Sequence, residues 1–219
     1  MAIMAGSNST PRELIEAGMH VARCYKIIQI GTVTENFKGE NKLMQKVRIG
    51  WEFPTLLKVF DEAKGPQPLV FDKEYTLSLK DKANLRIMLT SWRGKAFTED
   101  EAKAFDITKL IGAPCLLNLT HKPSKADVTK IYEEISSVSP LMKGTVCPPQ
   151  ISKSFVLSYD EFNETLFETL PDFIKDKMKG SAEYKAFKNK ANNTFVDAGG
   201  QLVAAGEIDL MDESDDLPF

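Results

Sequence analysis

Lys42-Leu43-Met44-Gln45-Lys46-Val47-Arg48-Ile49-Gly50-Trp51-Glu52-Phe53 is the stretch on which the fold turns. Leu43, Val47, Ile49, Trp51 and Phe53 share one parity, and Lys42, Met44, Lys46, Arg48 and Glu52 share the other. A period of two marks a half-buried strand, here with a basic outer face. Upstream, residues 20–33 are β-branched and apolar, with imperfect alternation around Tyr25-Lys26-Ile27-Ile28. That reads as a long strand carrying a bulge. Residues 36–41, with Gly39, read as the turn between the two strands.

Downstream, residues 54–68 hold Pro54, Gly65, Pro66 and Pro68 and read as a projecting loop. Residues 69–79 form a third strand, with Tyr75, Leu77 and Leu79 in phase. Asp81 stands where a cap belongs for a helix from Lys82 to about Trp92. Leu85, Met88, Leu89 and Trp92 fall there at helical spacing, and Gly94 ends it. Thr98-Glu99-Asp100-Glu101 is a capping-box pattern for a second short helix ending near Phe105. Residues 115–122 and 128–138 read as two more strands. The expected protein is mainly β with helices: a five-stranded OB-type barrel, with the helix between strands three and four. Another small β-barrel is the plain alternative.

After Pro140 the character changes. The expected division is an N-terminal arm at 1–17, the barrel at 18–143, a linker and helical appendage at 144–190, and a disordered acidic tail at 191–219. Ser158-Tyr159-Asp160-Glu161 reads as a capping box opening a helix, Pro171 suits the first turn of another, and residues 181–190 suit a third. Each is apolar on one side, which suits packing on the barrel or on a second copy in a homo-oligomer. From about Asn192 there is too little apolar surface to drive order.

The net charge of -3 over 219 residues is unevenly spread. Residues 201–219 hold six acids (Glu207, Asp209, Asp212, Glu213, Asp215, Asp216) and no Lys or Arg. Without them 28 basic residues face 25 acidic ones, a balance of +3. An acidic tail on a mildly basic body is the result; on charge alone it reads equally as a solubilising tail. No stretch approaches the roughly 20 apolar residues a bilayer span requires, and the first eleven residues lack a signal-peptide core, so a cytoplasmic protein without membrane partners is expected. Cys24, Cys115 and Cys147 form no paired motif, and only His20 and His121 accompany them. Neither a zinc site nor a disulfide framework is expected, and no cofactor.

Holding an unpaired nucleic-acid strand takes cations along the phosphates and flat side chains against the bases. On the barrel layout the ligand lies on strands two and three, between the loops that join strands one-two and four-five. Tyr25, Lys26, Phe37, Lys38, Lys42, Lys46 and Arg48 come from the first side; Lys122, Lys125, Lys130 and Tyr132 come from the second, beside His121. The plain reading of Lys42, Lys46 and Arg48 is a solvated strand face, and that of Tyr25 and Tyr132 is core or rim. Trp51 and Phe53 share the core parity. Asp215-Asp216-Leu217-Pro218-Phe219 offers a ring, a carboxylate and adjacent acids, a tip suited to an apolar pocket ringed by Lys and Arg on a partner. It could equally compete for the chain's own basic groove.

The last residues resemble the C-terminal tip of bacterial single-strand-binding proteins, which implies docking of replication and repair enzymes. Residues from about 45 to 144 resemble phage-encoded DNA-binding replication proteins. The motifs are Lys46-Val47-Arg48-Ile49-Gly50-Trp51-Glu52-Phe53, Lys73-Glu74-Tyr75-Thr76-Leu77-Ser78-Leu79 and Ser91-Trp92-Arg93-Gly94-Lys95-Ala96-Phe97-Thr98. Phe105-Asp106 and Leu110-Ile111-Gly112-Ala113-Pro114-Cys115 continue them. This resemblance implies an OB-fold, single-stranded-DNA binding in phage replication or recombination, and a host-cell cytoplasmic setting. The helices at 155–190 depart from the bacterial proteins, which have a linker there. No phosphate-binding loop, nucleophile elbow or metal-ligand cluster points to an enzyme. A non-enzymatic adaptor, whose barrel mainly binds protein, is the competing class.

Overall fold

The computed structural model describes residues 13–37, 39–124, 127–192, 195–196 and 202–203. Its centre is β1 (Gly18–Phe37), a strand long enough to serve three partners. Its first part pairs antiparallel with β4 (Pro114–Pro123), from Gly18↔Leu119 to Arg23↔Pro114. From Arg23↔Glu52 to Phe37↔Glu40 it pairs with β2 (Glu40–Val59). Register shifts at Cys24/Lys26 and Gln29/Gly31 bend it between the two duties, the bulging that its imperfect alternation announces. β3 (Pro66–Thr76) and β5 (Ile131–Ser139) flank the path, giving the order β3-β2-β1-β4-β5.

The sheet has six strands rather than the five expected, antiparallel except at β6. Where β4 leaves β1, β6 (Phe155–Leu157) takes the vacated edge in parallel, with Lys26↔Phe155 and Ile28↔Leu157. No backbone ladder joins β3 to β5 among the described residues, so the sheet is not a closed cylinder. Its two edges nevertheless approach: Lys73 Nζ on β3 donates to the Ile135 carbonyl oxygen on β5 at 3.2 Å.

The segment read as a projecting loop is mostly strand. β2 continues to Val59 and β3 begins at Pro66, with Leu57↔Pro68 and Val59↔Pro66 in register. A shift between Phe53 and Leu57 absorbs Pro54, and the other two prolines sit on an edge strand, where a missing N–H costs no ladder bond.

Two cores sit on opposite sides of the sheet. The inner one joins Ile27, Val47, Ile49, Trp51 and Phe53 to Tyr75, Leu117, Leu119 and Ile135, and to Leu85, Leu89 and Trp92 of α1 (Asn84–Arg93). Full burial of side chains such as Ile49, Phe53 and Leu89 contributes about 1.5–3 kcal/mol each. Trp92 Nε1 donates to the Pro114 carbonyl at 2.9 Å and its ring meets Trp51 at 5.9 Å, so both tryptophans are structural. Gly94 ends α1 in the left-handed region at φ 63°. Asp81 does not cap α1; it pairs with Arg86 at 2.8 Å, and Ala83 stands at the cap without a side-chain bond. The Thr98 capping box is present and opens α2 (Glu99–Lys103). A 3-10 turn, Ile107–Leu110, precedes β4.

The outer core is built by the C-terminal helices α3 (Glu164–Glu168), α4 (Asp172–Lys179) and α5 (Ala182–Asn192). Ile28, Ile30 and Val33 of β1 meet Leu157, Phe167, Leu170, Ile174 and Met178 there. α3 begins later than the Ser158 pattern suggests, because Asn163 caps it by accepting from Leu166 N at 2.9 Å. The linker is pinned as well. Arg23 donates to the carbonyls of Gly112 (2.6 Å), Cys147 (3.3 Å) and Pro148 (3.0 Å). The fully buried Glu52 carboxylate accepts from Ile151 N at 2.8 Å and Ser152 N at 2.7 Å.

Residues 13–17, read as part of an arm, are tied down too. Ile15 is buried, its N–H donates to Glu133 at 3.0 Å, and His121 Nε2 donates to its carbonyl at 2.7 Å. Within the stretch read as disordered, Phe195–Val196 (β7) and Leu202–Val203 (β8) pair antiparallel. Among the described residues no helix is long and apolar enough to cross a membrane.

Candidate nucleic-acid interface

Residues 46, 48, 50 and 52 of β2 and 72, 74 and 76 of β3 have the parity opposite to the inner core. Antiparallel register sets Lys46 against Thr76, Arg48 against Glu74, Gly50 against Asp72 and Glu52 against Val70. Basic residues on one strand therefore meet acidic residues on the next, and the basic face inferred from β2 alone becomes a lattice of ion pairs.

Lys46 is 9% exposed, with Nζ 3.1 Å from Glu35 and 3.9 Å from Glu74. Lys177 of α4 descends on the same two carboxylates, at 2.5 Å from Glu35 and 2.6 Å from Glu74. Lys177 holds the Glu35 carboxyl below its usual range, against the opposing effect of burial. Arg48 grips Asp72 through Nε (2.8 Å) and Nη2 (3.2 Å). Lys26 lies across Gly50, where any Cβ would overlap its stem, and brings Nζ within 3.2 Å of the same Asp72. Burial works to raise the Asp72 carboxyl, but Arg48 and Lys26 outweigh it and hold it below the ordinary value.

Lys26, Lys46 and Arg48 thus come together on the expected face, but engaged by acids and partly roofed by α4 rather than as a bare phosphate track. Tyr25 does not join them as a stacking surface. It is 8% exposed, its ring meets Phe155 edge-on at 6.4 Å, and burial pushes its hydroxyl up. Phe155 belongs to β6. At the β1–β2 turn, Lys42 reaches Glu40 at 2.9 Å and stays half exposed, and Phe37 pairs with Glu40 in the ladder. Lys38 lies outside the described residues.

On the β4–β5 hairpin, Tyr132 is 41% exposed and sits in register with Lys122. Lys122 pairs with Glu134, which raises its ammonium pKa, and Lys130 stands 3.7 Å from Asp127. Val128 and Ile131 are exposed beside them. Lys125 and the tip residues Asp215, Asp216, Leu217, Pro218 and Phe219 lie outside the described residues. His121, tied to Ile15, holds the N-terminal segment in place.

Sequence reasoning missed Phe173. It is 61% exposed on α4, with the Arg48 guanidinium over its ring at 5.2 Å. The signal was present: Ile174 and Met178 mark the buried stripe, and Phe173 and Lys177, also four apart, share the neighbouring side of the helix. Asp72 and Glu74 likewise alternate out of phase with Tyr75, the parity that faces the cations of β2. Among the described residues no group of three His, Cys, Asp or Glu side chains is placed to hold a metal ion. No family model, curated protein or solved structure matches the chain.

Proposed function

We propose that this chain is a sequence-tolerant single-stranded-DNA-binding protein on an OB-type barrel, serving phage replication or recombination in the host cytoplasm. It protects exposed strands and recruits replication or recombination proteins through residues 215–219. The observation that carries the reading is the strand path β3-β2-β1-β4-β5 with α1 between β3 and β4, curled until Lys73 touches Ile135. An OB-type barrel has its strands in this order and closes through a β3–β5 ladder, so the order supports the reading. The β4–β5 hairpin supports it with an exposed Tyr132 beside Lys122 and Lys130.

Gel shifts and anisotropy titrations with single- and double-stranded oligonucleotides at two salt concentrations test it. Preferential binding of oligo-dT is expected, weakening with a slope of about 0.7 in log affinity per log salt for each phosphate contacted. No binding of oligo-dT in dilute buffer overturns it.

A second reading, a replisome or recombination adaptor whose barrel mainly binds protein, draws on the pairing of Lys26, Lys46 and Arg48 with Glu35, Asp72 and Glu74. An apolar protein contact would not weaken steeply with salt, and the same titrations separate the two.

A further inference from the structure

We propose that Phe173, on helix α4 and outside the barrel strands, is a base-stacking platform, with Arg48 against its ring, and Lys26 sharing Asp72 with Arg48, taking the adjoining phosphate; this rests on the single-strand-binding reading. Trp51, Trp92, Tyr25, Tyr75, Phe53, Phe97 and Phe167 are buried and offer no ring face to a base. Phe173, at 61% exposure, has one ring face on the Arg48 guanidinium and the bulk of its surface in solvent.

The ring is held in place from three sides. Arg48 beneath it is fixed at two points by Asp72. Ile174, next along α4, is locked in the outer core with Met178. Lys177, one turn on, is anchored between Glu35 and Glu74. A flat surface set before the ligand arrives loses little freedom on binding.

Lys46 and Lys177 face Glu35 and Glu74, two against two. Lys26 and Arg48 share Asp72, two against one. Glu52, further along β2, is bonded to the amides of Ile151 and Ser152, and on α4 Asp172 shares Lys175 with Glu168, at 3.1 and 3.5 Å. The cluster at the base of the open ring, Arg48 and Lys26 on Asp72, therefore carries one positive charge more than negative. A ring for a base and an adjacent cation for a phosphate match one nucleotide of an unpaired strand, and stacking of this kind tolerates any base.

The test uses the full chain and fluorescein-labelled oligo-dT. Phe173→Ala and Phe173→Leu should bind about 5- to 100-fold more weakly, with the melting temperature unchanged because the side chain is exposed. Phe173→Trp should keep affinity within about threefold and show fluorescence quenching on binding; the native tryptophans, Trp51 and Trp92, are buried and give a separable background. Phe60→Ala, at the far end of the β2–β3 hairpin and 64% exposed, should change nothing. If the unaltered chain binds oligo-dT and Phe173→Ala and Phe173→Leu bind it equally well, the platform is refuted while the function stands. If the unaltered chain does not bind, the function is refuted and the platform with it.

Discussion

Asp72 on β3 holds Arg48 on β2 at two points, Nε to Oδ2 at 2.8 Å and Nη2 to Oδ1 at 3.2 Å. A fork gripped by a carboxylate is oriented but partly spent, and a phosphate must compete with Asp72 for it. Replacing Asp72 with Ala frees Arg48 and Lys26 together. The variant should bind oligo-dT more tightly, and its salt slope should steepen by about 0.7 for each additional phosphate engaged. It should also lose about 1–3 kcal/mol of stability, because two half-buried cations are left without their acceptor. Anisotropy and urea titrations on one preparation read both, and tighter binding at undiminished stability would contradict this account.

Lys177 links the helical layer to the sheet through Glu35 and Glu74. Lys177→Ala should cost about 1–2 kcal/mol, the partly exposed position reducing the full value. That lowers Tm by roughly 2–8 °C. The pH response follows from the carboxyls. Glu35 and Asp72 titrate below their ordinary values of 4.5 and 3.8 in the folded chain. Their stabilising contribution is complete above those values and disappears as pH falls through the depressed ones. Stability should fall steeply below about pH 4.5, less steeply in Lys177→Ala, in thermal melts across roughly pH 3–7.

Glu52 is buried, and its two oxygens serve the amides of Ile151 and Ser152. Glu52→Ala strands both donors, at about 1–3 kcal/mol each. Limited proteolysis should find a new cutting site around residues 148–153, with the unfolding midpoint in urea shifted down. An unaltered digestion pattern would show that the linker is held by other bonds.

Deletion of residues 212–219 addresses the acidic tip. Oligo-dT affinity should stay the same or rise slightly, since four acidic side chains are removed from a chain of net charge -3. Pull-down of purified phage or host replication proteins should be lost. A large drop in DNA affinity would contradict the assignment of recruitment to the tip.

The strands are legible in the sequence where alternation is strong. Val47, Ile49, Trp51 and Phe53 all lie in the inner core, as their parity requires. Less legible is anything that depends on a partner strand. Lys46 and Arg48 look like free cations until β3 is laid beside them and Asp72 and Glu74 arrive in register. β6 has three residues, too few to show a period, yet it brings Phe155 against the Tyr25 ring. The prolines of residues 54–68 suggest a loop because the sequence does not say that β3 is an edge. Gly31 carries no signal of its own within a strand; at φ +94° it lets Ser181 and Glu183 approach the backbone closely, and a Cβ there would fall 2.8 Å from Ser181 Cβ.

β6 has a further consequence for how the protein can be divided. Its three residues complete the hydrogen bonding of β1 at residues 26–28, and the helices behind them cover Ile28 and Ile30. A shortened protein ending near residue 143 would carry an open row of amides and carbonyls flanked by bare isoleucines, an adhesive margin for a like molecule. The appendage thus covers that margin, and trimming it to isolate the sheet should favour clumping.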